Sequence, residues 1–217
     1  MAQNQPYVLT SSIQEEMLAN IGITAGDLQS TIMQVYRAFN AVGPLHPKGF
    51  SGTYGWADGT QAIRAIMMPK GWTMADPNGQ PRIVSPGGRY AITVSSGNAH
   101  TGNPNKTPQT KNSKGAQTTR SVAYNSRQGE LFDSEPQQNV MPVGTTEQML
   151  WFLLFYVDLE GGEVRYELSY PINVGDNNKV DAWATRLIMP ALRLGSRDGS
   201  SLPESGPSID IAVKPKI

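Results

Sequence analysis

Two segments of strand-like character meet at Gly161-Gly162, and they constrain the fold more than any other stretch. Met149 to Val157 is an apolar run of nine residues, and the mixed segment Glu163 to Pro171 follows the glycines. A two-residue Gly-Gly turn joins antiparallel strands and sets their register. In that register Leu159 faces Val164, Val157 faces Tyr166 and Phe155 faces Leu168 on one side. Glu160 then faces Glu163, Asp158 faces Arg165 and Tyr156 faces Glu167 on the other. A slip of one residue would mix the faces, so the sequence predicts a hairpin with one apolar and one solvent-facing side. The apolar run is too short for a spanning helix, which needs about 20 residues.

Upstream of this hairpin the periodicity is first helical, then alternating. Ser12 with Glu15, and Thr24 with Asp27, carry the spacing of helix-start signals. Leu28, Ile32, Val35 and Phe39 repeat at i, i+4, i+7 and i+11, one apolar face of a helix. Gly43-Pro44 ends it. Residues 45–59 are turn-rich and read as irregular, with Asp58 expected to cap a third helix that runs to Met68. From Trp72 onward the pattern is β: Trp72 and Met74, then Arg82 to Ser85, then Arg89 to Ser95, separated by Asp76-Pro77-Asn78-Gly79 and Pro86-Gly87-Gly88 turns. Asp181 is expected to cap a short helix carrying Trp183 and Leu187, and Ile209, Ile211 and Val213 alternate as a last strand. The fold class expected is α+β, with N-terminal helices packed on a mainly antiparallel sheet made of a meander plus the long hairpin. All of 1–217 reads as a single domain, with a helical part over about 12–68 and a β-rich part over about 71–217, interrupted by a long polar basic loop at 95–127. Such a loop inside a compact domain is functional or disordered.

Several chemistries are absent from the residue inventory. There is no cysteine, which removes disulfides, thiolate zinc sites, iron–sulfur clusters and cysteine nucleophiles. His46 and His100 are far apart, and no HExxH pair is present. No GxSxG elbow occurs. Gly97 to Gly102 has the glycine spacing of a phosphate loop, but Asn103-Pro104 stands where Lys-Ser/Thr is needed. No catalytic residue, metal site or cofactor is therefore expected. The N-terminus has no basic and apolar leader pattern, and a cytoplasmic chain with no membrane partner is expected.

Charge is what remains. The chain carries 18 basic and 18 acidic residues, yet residues 77–129 hold no acid and seven bases: Arg82, Arg89, Lys106, Lys111, Lys114, Arg120 and Arg127. Lysine and arginine neutralise phosphates, and the surrounding Asn, Gln, Ser and Thr can donate to phosphate and sugar. That composition points to a non-enzymatic module contacting nucleic acid, or a nucleoprotein complex, through the basic loop. With Tyr124 the loop's one aromatic, backbone contact is expected over base stacking. Two alternatives stand beside it. In one, the chain is an assembly subunit of a homo-oligomer or viral particle whose loop wraps a neighbour, basic middle against acidic end. In the other, the hairpin carboxylates Asp158, Glu160, Glu163 and Glu167 hold a divalent metal for hydrolase or nuclease chemistry.

Overall fold

A computed structural model describes residues 11–128 and 148–194. Three helices, α1 (Ser11–Ile21), α2 (Ala25–Asn40) and α3 (Phe50–Met67), precede a meander of β1 (Thr73–Ala75), β2 (Arg82–Val84) and β3 (Tyr90–Ser96). Helix α4 (Ala116–Gln128) follows, then β4 (Met149–Asp158), β5 (Glu163–Val174), β6 (Val180–Ile188) and β7 (Leu192–Arg193). The sheet order is β1-β2-β3-β4-β5-β6, with β7 also on β5. It is α+β and mostly antiparallel. The exception is β3–β4, which pair in parallel from Tyr90↔Met149 to Ser96↔Phe155. The expected last strand at Ile209–Val213 lies outside the described residues.

Both faces of the central strand are covered. Trp151, Leu153 and Phe155 of β4 enter a core with Ile32, Val35 and Ile63 of the helical layer. Leu150, Phe152 and Leu154 enter a second core with Val122 of α4, Val180 and Trp183. That is why residues 149–155 form an uninterrupted apolar run: a strand sandwiched between two layers needs apolar side chains at every position. The solvent-facing side expected of the hairpin is, over its first half, an interior.

Thr24 opens α2 as the sequence indicated. Its hydroxyl accepts from the Asp27 amide while Asp27 accepts from the Thr24 amide, a complete capping box. Helix α3, by contrast, begins at Phe50, inside the stretch read as irregular, and Asp58 sits in its body rather than at its cap. Two of its glycines are contact residues. A Cβ at Gly59 would lie 2.5 Å from Val35 Cγ2, and one at Gly55 3.2 Å from the Val35 carbonyl. Their absent side chains let α2 and α3 cross closely, and packing outweighs the low helix propensity of glycine.

Two further expectations are corrected. Asp181 does not cap a helix; Trp183 and Leu187 belong to strand β6. The hairpin register is displaced by two residues, with Leu153↔Leu168, Phe155↔Tyr166 and Val157↔Val164. The loop is longer than Gly-Gly because the Gly161 amide donates to Asp158 Oδ1 at 2.9 Å, closing a turn over residues 159–162. A shift of two keeps the same residues on each face.

Candidate phosphate-binding cleft

The segment expected to be a structureless loop is tied to the sheet over nearly its whole length. Glu167 of β5, fully buried, accepts from the Gly102 amide at 2.8 Å, from Ser169 Oγ at 2.7 Å, and from Arg186 Nε and Nη2 at 2.9 and 2.5 Å. Arg186 passes the link on, donating to the carbonyls of Lys106 and Asn103. Further along, the Trp183 indole donates to the Pro108 carbonyl, and the Thr110 amide to the Val180 carbonyl. Residues 116–128 then form α4 instead of loop. Glu167, expected at a solvent-facing position, is thus the anchor of this segment. Asp158 and Glu163 share Arg165, and Arg193 also reaches Glu163. Glu160 lies exposed in the turn. Among the described residues, no group of three His, Asp or Glu side chains is placed to hold a metal.

Where the anchored segment turns into α4 it leaves an open cleft of about 710 Å³. Its floor is the carboxyl end of β3, Thr93 to Ser96; one wall is residues 112–118 with Arg120, and the other includes Gly52, Thr53 and Trp56 of α3. The first turn of α4 carries no acidic residue. Its leading amides cannot be satisfied within the helix, and the helix dipole adds partial positive charge there. A helix N-terminus following a strand in a parallel β–α–β unit is a recurrent place for anions.

Lys114 is the centre of the cleft's electrostatics. Its Nζ donates to Ser95 Oγ at 2.7 Å and lies 6.0 Å from the Phe152 ring centroid. Burial pushes the amine down to about 8, so it is still protonated at neutral pH but poorly solvated. Gln117, 5% exposed, contributes an unsatisfied donor. Its Oε1 accepts from Asn78 Nδ2 at 2.8 Å, whereas its Nε2 has no partner among the described residues.

The seven bases of the acid-free block separate into distinct environments. Lys114 and Arg120 line the cleft, and exposed Lys111 flanks its wall next to Asn112. Arg127 is exposed on α4, seven residues beyond Arg120 and so about 10 Å along the same helix face. Lys106 is exposed at the Glu167–Arg186 anchor. Arg89 is exposed at the opposite end of β3, over the Tyr90 ring. Arg82 is 1% exposed, bonded to Gln80, Gln148 Oε1 and Ser121 Oγ, and burial lowers its guanidinium to about 10. Buried this way, Arg82 supports the α4 wall from inside.

The ion pairs among the described residues use Arg64, Lys70, Arg165, Arg186 and Arg193; none uses a base from 77–129. Trp56 was not anticipated, because its surroundings read as irregular. It is 37% exposed, while Trp72, Trp151 and Trp183 are buried. A tryptophan four residues after a glycine would have been the available signal, once 50–67 is known to be helical. Compared with protein-family models, curated proteins and solved structures, the chain matches none of them.

Proposed function

We propose that this chain is a non-enzymatic module that binds single-stranded nucleic acid in the cleft between α3 and the start of α4. The observation that carries the reading is the desolvated Lys114 ammonium, held by a hydroxyl instead of a carboxylate, at the mouth of an acid-free helix N-terminus. A phosphate placed there would supply the missing counter-charge and take hydrogen bonds from amides the helix leaves free. Arg120 and Arg127 continue the positive track along α4, and Lys111 widens it. Trp56 on the facing wall offers a π-face to a base, the combination of basic groove and aromatic platform that sequence-tolerant strand binding uses. Arg82 and Arg89 are outside this interface, one by burial and the other by distance along β3.

The test is titration of a fluorescein-labelled single-stranded 15-mer, followed by anisotropy, with tryptophan emission recorded in parallel. Wild type is expected to bind with partial quenching of tryptophan emission, a change absent in Trp56→Ala. Arg120→Gln and Lys111→Gln together should weaken binding about 10- to 100-fold, and Trp56→Ala about 10-fold, from the usual size of phosphate and stacking contacts. Equal affinities for wild type and these variants would overturn the assignment.

A further inference from the structure

A second cavity, independent of the cleft, lies at the other end of the parallel strand pair. It has a volume of about 540 Å³ and sits between α1 and the amino ends of β3 and β4. That volume is in the range of small-molecule sites. Trp151 and Tyr170 form one aromatic corner, their ring centroids 5.2 Å apart and their planes tilted by 47°. Tyr90 adds a third ring, Met17 and Met149 are adaptable apolar walls, and Arg89 stands at the rim. Trp151 is 4% exposed, and its indole Nε1 has no acceptor among the described residues. The contrast with Trp183 is direct, since that indole N–H is satisfied by the Pro108 carbonyl. A buried donor without an acceptor is costly, and the ring that carries it lines this cavity.

We propose that this cavity binds a small planar aromatic carboxylate. Three rings and two thioethers favour an aromatic body by edge and face contacts. Arg89 has no carboxylate partner among the described residues, and its planar fork matches a carboxylate in two-point contact. A quaternary cation, which aromatic cages also take, is disfavoured by the guanidinium over Tyr90 at 5.2 Å.

Binding can be read from the Trp151 indole cross-peak in a proton–nitrogen correlation spectrum, assigned by its loss in Trp151→Phe. The probes are 2-naphthoate, its neutral analogue 2-naphthamide, and octanoate. A saturable shift of that peak with 2-naphthoate is expected, with affinity about 10-fold weaker for 2-naphthamide and about 10-fold weaker in Arg89→Gln. Arg89 is exposed, so this variant tests the charge without disturbing the core. No saturable shift with 2-naphthoate would overturn the site. Equal affinity for the acid and the amide would overturn the carboxylate assignment, and tighter binding of octanoate would overturn the aromatic one.

Discussion

Glu167 shows how far one side chain can determine the course of a long connection. Its two carboxylate oxygens collect the Gly102 amide, the Ser169 hydroxyl and the Arg186 guanidinium in a site closed to water. Removing one partner of such a pair leaves an uncompensated buried charge, which costs about 3–5 kcal/mol. Glu167→Gln is therefore expected to lower the unfolding free energy by about 3 kcal/mol in urea titration. The double variant Glu167→Leu with Arg186→Met should recover only the part owed to the unpaired charge, because the Gly102 amide and Ser169 hydroxyl still lose their acceptor. Lys114 makes a prediction in pH. Its amine is lowered by burial to about 8 in the folded chain, against about 10.4 when unfolded. Between those values the unfolded chain binds more protons, so stability should rise as pH rises from about 8 to 10. Lys114→Met should flatten that rise. Buried Tyr166 and Tyr170, whose phenols are raised by burial, act in the opposite direction near pH 10, so a wild-type curve with the same slope as that of Lys114→Met would show that the amine is solvated.

At the scale of elements, the glycines of α3 separate packing from propensity. Gly59→Ala should gain about 1 kcal/mol from helix propensity but places a Cβ 2.5 Å from Val35 Cγ2. Overpacking of this kind costs about 1–3 kcal/mol, so net destabilisation is expected by thermal melting. Gly52→Ala meets nothing within 4 Å and is expected to stabilise by about 0.5 kcal/mol. The same contrast explains which elements were legible. Helix α2 could be read because Leu28, Ile32 and Val35 repeat on one face and Thr24 and Asp27 cap it locally. Helix α3 could not, because Gly55 and Gly59 matter through a neighbour that is distant in sequence. The hairpin's faces were legible from alternation, while its register goes with a four-residue turn closed by the Asp158–Gly161 hydrogen bond. Helix α4 was hidden by polarity: Ser121 and Asn125 face inward with Val122, and Asn125 is satisfied by the backbone of Leu150 and Pro171.

Across the whole molecule, the parallel pairing of β3 with β4 arranges the two sites. It requires the chain to cross from one end of the sheet to the other, which the anchored segment and α4 accomplish. One consequence is the cleft where β3 ends and α4 begins, which Lys114 and Arg120 line, with Lys111 beside it and Arg127 further along α4. The sequence showed this charge asymmetry but not its sorting, since Arg82 is buried where β2 meets α4 and Arg89 is set apart at the far end of β3. It also left Trp56 unconnected to the basic segment. No described helix is long and apolar enough to cross a membrane.

The central claim is that a few bases around the α4 N-terminus bind phosphates, and salt dependence tests it most directly. Affinity for a single-stranded 15-mer should be measured from about 50 to 200 mM salt, and log affinity plotted against log salt. Three to four phosphate contacts on a single strand give a slope of about −2 to −3, which Arg120→Gln and Lys111→Gln together should reduce by about 1 to 1.5. A slope near zero, or one that those substitutions leave unchanged, would contradict the account.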